Sequence, residues 1–485
     1  MRNTERLPLP RIIQGGLGAG VSSWRLARTV SAAGQLGVVA GTALDLILAR
    51  RLQLGDADGR LRGALARLPI PGVAERILAR YWIQDGKASA ARFMAKPRLR
   101  LEGSAHQEEL LIAANFVEVD LAREGHEGLV GINYLEKIQL PTLPSLYGAM
   151  LAGVDVVLMG AGIPIAIPGI LDDLAAGRAT ELPLDARGAE RDERFMARFD
   201  PAQYFSGAPP ELARPRFLAI VSSVTVATAL QRRARGEVDG FVVEGHTAGG
   251  HNAPPRGRKA LTPKGEPEYG ERDAVDPVAF AALGRPFWLA GSYGRPGGLA
   301  EALAAGAAGI QVGTAFAYCA ESDLREDLKL AVLERSRAGE ARVFTDPVAS
   351  PTGFPFKVVP LPGTLTDPEV FRERPRRCDL GYLRHAYRRA DGTVGWRCPA
   401  EDADEFVRKG GAPEETVGRM CVCNALAANV GLGQVLPDGS PEPALVTSGD
   451  EVATVARFLP PGARSYRAVD VLELLLGDLA LAPAR

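Results

Sequence analysis

Short apolar runs recur along this chain, each stopped by a glycine or a small polar residue and most followed by helical spacing. A run of that length closed by such punctuation reads as a buried strand. Eight are found: Arg11–Gln14, Gly37–Gly41, Leu129–Tyr134, Asp155–Met159, Phe217–Val221, Gly240–Val243, Pro286–Gly291 and Gly309–Thr314. Helices are predicted over Ser23–Ala33, Ser145–Ala152, Gly169–Ala176, a stretch ending at Ala234, and Gly298–Ala305. Right-handed crossovers between parallel strands close at this number, so the predicted class is α/β, a (β/α)8 TIM barrel. A doubly wound open sheet is the alternative. A dinucleotide fingerprint at Gly15–Gly20 would need a glycine where Val21 stands.

Two stretches interrupt the alternation. Residues 42–128 carry apolar residues at three- and four-residue spacing, among them Leu44, Ile47, Leu48, Leu52, Val73 and Ile77, with a long amphipathic helix over Ala105–Glu124. This is a helical insertion after the second strand, expected to cover the site or to form an oligomer contact such as a homodimer. The polar, proline-bearing stretch from Arg178 to Pro215 is expected to be an excursion or flap. After Thr314 the pattern fades, so residues 1–335 are expected to form the barrel and 336–485 an extension. That extension could serve as a lid, a dimer surface or a docking face for an acyl carrier protein. It contains a charged helix over Ser322–Gly339 (starting before the boundary), a stiff connector over Ser350–Phe356, a helix over Met420–Val430, and a cap signature at Ser448–Glu451 that predicts a last helix.

A net charge of −1 over 485 residues offers no basic face to nucleic acid or to an acidic membrane. The longest apolar run, Val156–Leu171, is broken by glycines and prolines and is too short to span a bilayer. The stretch Met1–Arg6 has no apolar segment behind it and does not read as a secretory signal. An odd number of cysteines, five, fits a reducing compartment, and a cytoplasmic location is expected. Cys378, Cys398, Cys421 and Cys423 could hold a structural zinc, although the spacing lacks the usual C-x2-C knuckle; buried thiols acting as small apolar residues are the alternative.

The chemistry is expected where the run ending at Val243 feeds Glu244-Gly245-His246-Thr247-Ala248-Gly249-Gly250-His251. Paired glycines let backbone N–H groups approach a flat or anionic ligand, and a histidine beyond them can move a proton near neutral pH. In a closed barrel the loops after the last two strands commonly hold a phosphate. Here they are Gly291-Ser292 and Gly313-Thr314, with hydroxyls beside backbone donors. Taken singly these glycines need only make tight turns; together, opposite Gly249-Gly250, they favour a phosphate-bearing cofactor.

With Ile12-Ile13-Gln14, Ala248-Gly249-Gly250-His251, Leu289-Ala290-Gly291 and Gly306–Thr314 in this order, the chain resembles the nitronate monooxygenase (2-nitropropane dioxygenase-like) family. These are FMN-containing barrels related to flavin-dependent enoyl reductases, and the resemblance covers residues 10 to about 320. It implies His251 as the active-site histidine. It implies FMN contacts at Gly16, Leu17, Asn133, Gly249, Gly250, Gly291, Ser292, Gly313 and Thr314, to which Lys137 and Ser222 are added from the barrel rim. The implied activity is oxidation of a nitronate or similar acidic carbon with dioxygen, His251 acting as base. The alternatives are an NAD(P)H-dependent enoyl-thioester reductase and a flavin-binding component without turnover of its own. The insertion, the Asn252–Arg256 run and the long extension depart from the compact members of the family.

Overall fold

The computed structural model describes residues 8–257 and 260–480. The Met1–Arg6 stretch lies outside them. Among the described residues the strands are β1 (Ile12–Gln14), β2 (Gly37–Ala40), β3 (Val130–Leu135), β4 (Val156–Gly160), β5 (Thr180–Pro183), β6 (Ala186–Arg187), β7 (Met196–Phe199), β8 (Arg216–Val221), β9 (Gly240–Glu244), β10 (Phe287–Ala290), β11 (Gly309–Val312), β12 (Phe344–Asp346), β13 (Phe356–Val358), β14 (His385–Arg388) and β15 (Val394–Arg397).

Eight of these strands form one sheet in the order β1-β11-β10-β9-β8-β4-β3-β2. Every pairing in it is parallel. A parallel bridge between Ile13 and Leu36, with Gln14 N–H donating to the Leu36 carbonyl at 2.9 Å, joins β1 to the start of β2 and closes the barrel. Closure leaves no strand edge. The strands are buried on both faces, which is why they read as continuous apolar runs. Ile13, Val38, Leu158, Leu218, Val242 and Trp288 form one cluster, and Ile12, Val39, Ile132, Val157, Phe217 and Phe241 belong to the larger core. The predicted (β/α)8 barrel is therefore the fold.

The insertion folds as helices over Leu44–Gln53, Arg60–Leu65, Val73–Tyr81 and Ala105–Arg123. The last of these packs between the helices Trp24–Ala32 and Thr142–Leu151, in the place of the second crossover helix. Its Ser104 cap accepts from Gln107 N–H, satisfying one free donor at the helix start. The excursion over 178–215 is more ordered than a flap, because β5 and β7 pair antiparallel there.

The extension does not stand apart from the barrel. Val446, Val452, Val455, Phe458, Tyr466 and Leu472 share the main core with barrel residues. The buried Lys96–Asp45 ion pair (2.8 Å), to which the Tyr382 hydroxyl donates at 2.5 Å, ties the insertion to the extension. The cap signature at Ser448–Glu451 opens a 3-10 helix, Asp450–Phe458, and the last α-helix begins only at Ala468. The expected last helix is thus displaced, since Pro460 and Pro461 halt the first. Among the described residues no helix is long and apolar enough to cross a membrane.

The zinc expectation is corrected: among the described residues no group of three or more His, Cys, Asp or Glu side chains is placed to hold a metal ion. All five cysteines are free. Burial pushes the Cys421 thiol up to about 11 and the Cys423 thiol higher still, and Cys398 is raised by its contact with Cys378 and by burial. Cys378 shifts the other way, lowered by its contact with Cys398.

Candidate functional site at the C-terminal mouth of the barrel

The carboxyl ends of β1, β9, β10 and β11 open onto one niche of about 160 Å³. Gly16, Leu17, Gly249, Gly250, Gly291, Ser292, Gly313 and Thr314 all line it. These residues are far apart in sequence and meet because each follows a barrel strand. Asn133 stands one layer behind. Its side chain backs Gly16, where a Cβ would lie 2.0 Å from Asn133 Oδ1, so only glycine fits. Ser292 adopts a left-handed φ of 62°, an unfavourable backbone held in place by the turn.

The fourth side of the niche comes from the extension, for which a lid was one of the expected roles, although none of its residues was nominated for the site. Thr447, Ser448, Gly449 and Glu451 line it. Gly449 N–H donates to Thr314 Oγ1 at 3.0 Å, and Gly250 N–H donates to Thr447 Oγ1 at 3.1 Å. A Cβ on Gly249 would sit 2.7 Å from the Ser448 carbonyl carbon. The cap signature at Ser448 was the only local hint of this contact. It marks a helix start, and that start faces the niche.

A second, larger cavity of about 540 Å³ adjoins the first. His251, Lys137 and Ser222 line it, with Tyr269, Arg256 and His246. Lys137 is paired with Asp185 at 3.4 Å, and the Ser222 carbonyl accepts from Arg256. His246 stacks on Tyr269, ring centres 4.6 Å apart. The eleven expected cofactor residues therefore divide: eight on the niche wall, Asn133 behind it, and Lys137 and Ser222 with His251 in the second cavity.

The extension also fixes His251. The imidazole packs on Phe356 with ring centres 4.6 Å apart, and His251 bridges that strand residue in antiparallel fashion. Asn252 N–H donates to the Pro355 carbonyl and Lys357 N–H to the Gly250 carbonyl, both at 2.9 Å. His251 Nε2 lies 2.6 Å from Ser350 Oγ, which lies 2.9 Å from Thr352 Oγ1. Burial pushes the imidazole down to about 4, so it is neutral at pH 7. Glu244, the last residue of β9, is pushed up by burial to about 8. The other histidines have structural contacts: His106 meets the Tyr81 hydroxyl at 3.0 Å and His126 the Ala122 carbonyl at 2.7 Å.

A sequence model described as nitronate monooxygenase matches residues 210–348. Over 132 residues, 27% of this chain, it is 37% identical to a probable nitronate monooxygenase of Bacillus subtilis (strain 168). That match spans 36% of the relative's length. Among solved structures, FabK from Thermotoga maritima is similar at 15% identity, covering 97% of this chain and 92% of that one, with a TM-score of 0.49. A nitroalkane oxidase from Streptomyces ansochromogenes is similar at 16% identity, covering 98% and 96%, with a TM-score of 0.47. Residues 210–348, which carry the His251 loop and the turns after β10 and β11, are thus the part of the chain that is similar to nitronate monooxygenases.

Proposed function

We propose that this chain is an FMN-dependent oxidoreductase acting on a nitronate or a similarly acidic carbon, with dioxygen as the second substrate. The observation that carries this reading is the meeting of four glycine turns in one niche beside a cavity lined by a buried neutral imidazole. The niche suits a flavin phosphate. Its donors are backbone N–H groups and the hydroxyls of Ser292 and Thr314, and the described residues lining it include no lysine or arginine. Of its two carboxyl groups, Glu244 is pushed up by burial to about 8 and so does not oppose an anion at neutral pH, and burial shifts Glu451 in the same direction.

The flavin, when bound, supplies the two-electron exchange with substrate and dioxygen. The protein's own part is to orient the reactants, exclude water and move a proton. Ser350 Oγ accepts from Thr352 N–H and lies next to Thr352 Oγ1, which itself accepts from Phe354 N–H. Two proton arrangements satisfy these contacts, and the proposed role uses the one with Nε2–H donating to Ser350 and Ser350 donating to Thr352. That tautomer leaves Nδ1 as the free acceptor, able to take the α-proton when the acidic carbon arrives protonated, as a nitroalkane; a nitronate has already lost it. A positioned base of this kind contributes about 10²–10⁴-fold.

One observation favours a second reading, an enoyl-thioester reductase using NAD(P)H. The second cavity shares Lys137 and Asp185 with a third one that Arg187 and Arg384 also line. A long, phosphate-bearing thioester, free or on a carrier protein, would suit that run of cations. The test is uptake of FMN by the purified protein, followed by anaerobic mixing. Bleaching by propionate 3-nitronate without nicotinamide supports the oxidase. Bleaching by NADPH with recovery on adding an enoyl thioester supports the reductase. Flavin bound but unresponsive to both points to a binding component, and a protein that takes up no FMN ends all three readings.

A further inference from the structure

The niche and the second cavity have one lining residue in common, Glu244. It ends β9, opposite Ala290 of β10 in the register, so the barrel backbone holds it on the wall between the two spaces. Its side chain is half-buried and faces both spaces. Carboxyl groups drawn away from water are commonly hydrogen-bonded or ion-paired. This one is not: no hydrogen bond or charge among the described residues acts on it, and desolvation raises it. Charged and titratable groups do share its surroundings. Glu451 lies in the niche; Glu136, Lys137, Asp185, His246, His251, Arg256, Tyr269 and Asp273 lie in the second cavity. None of them engages the Glu244 carboxyl, which leaves it free for whatever occupies either space.

We infer that Glu244 is a second catalytic residue, a carboxyl that passes a proton between the substrate cavity and the flavin niche. The inference rests on the reading that the niche takes FMN. A proton leaves one carboxyl oxygen for a group on one side, and the carboxylate regains a proton from the other side; no electrons pass through it. The role complements that of His251. An imidazole pushed down to about 4 releases a captured proton readily and cannot store it, whereas a carboxyl held near 8 keeps one at neutral pH. Two titratable groups driven apart by their surroundings are a common acid–base arrangement.

The test compares FMN-loaded wild type with Glu244→Gln, following the visible flavin band from about pH 6 to about pH 10, a span that brackets the raised carboxyl. The wild type should show a one-proton transition near 8 that the glutamine variant lacks, with FMN affinity changed less than about threefold. Anaerobic bleaching by 3-nitropropionate at neutral pH, which requires loss of its α-proton, should slow at least about tenfold in the variant. If Glu244→Gln does not fold, Glu244→Asp serves instead; it should keep the spectral transition and still slow bleaching, because its carboxyl is set back by one methylene. Flavin bound by both proteins with the same transition in each, or with none in the wild type, overturns the inference and leaves the flavin reading standing. A wild type that takes up no FMN overturns both.

Discussion

His251 Nε2 and Ser350 Oγ are 2.6 Å apart although 99 residues separate them in the chain. The imidazole belongs to the barrel and the hydroxyl to the extension, so the orientation of the expected base is set from outside the barrel. Replacing Ser350 with alanine should leave FMN bound and slow flavin bleaching about three- to tenfold, the worth of one hydrogen bond. His251→Asn should keep the yellow colour and slow bleaching at least about tenfold. Stopped-flow traces of the two single variants and the double variant decide the matter. Because the serine acts through the imidazole, the double variant should be no slower than His251→Asn alone.

Acid stability should carry the mark of two buried imidazoles. His251 and His385 are each pushed down to about 4, both chiefly by burial, and Nδ1 of His385 is buried without a partner. Between about 4 and the ordinary value of 6.5 the unfolded chain binds more protons at these sites than the folded one, so stability rises with pH across that window. Each contributes a slope of at most about 1.4 kcal/mol per pH unit there. Glu244 acts in the opposite sense from its ordinary 4.5 up to about 8, where the folded state holds the extra proton. Urea unfolding from about pH 4 to about pH 8 should show a shallower acid limb in His385→Gln and, in Glu244→Gln, less loss on the alkaline side. Identical pH profiles for the variants and the wild type would contradict this assignment.

Gly249 is packed against the backbone of the extension, and an added Cβ would lie 2.7 Å from the Ser448 carbonyl carbon and 2.8 Å from Gly449 N. Gly249→Ala should cost about 1–3 kcal/mol of stability through overpacking. It should also weaken FMN binding by at least about tenfold, because the displaced segment is a wall of the niche. Gly207→Ala, where a Cβ meets nothing within 4 Å, is the control and should change neither. Thermal melts and flavin fluorescence titrations read both effects.

Much of the barrel was legible because its signals are local. The strand expected over Gly240–Val243 spans Gly240–Glu244, and the helix expected over Ala105–Glu124 spans Ala105–Arg123. A glycine that stops an apolar run marks both the end of a strand and, in a closed barrel, a place on the rim, which nominated Gly291 and Gly313; Gly249 came from its glycine pair and Gly16 from the family resemblance. Ser350, Thr447 and Gly449 could not. Their part depends on the extension folding back across the mouth, a long-range contact that leaves no periodicity. The four clustered cysteines show the converse: their closeness in sequence suggested a metal, while among the described residues no three such ligands are placed to hold one.

Thr447 to Glu451 supply the last side of the niche more than 130 residues after Thr314, the hydroxyl they cover. On the flavin reading proposed above, assembly of the holoprotein is a late event: a growing chain can complete all eight barrel strands and still lack the clasp for the flavin. Pigment should accrue with docking of the extension, making colour a reporter of the final stage of folding.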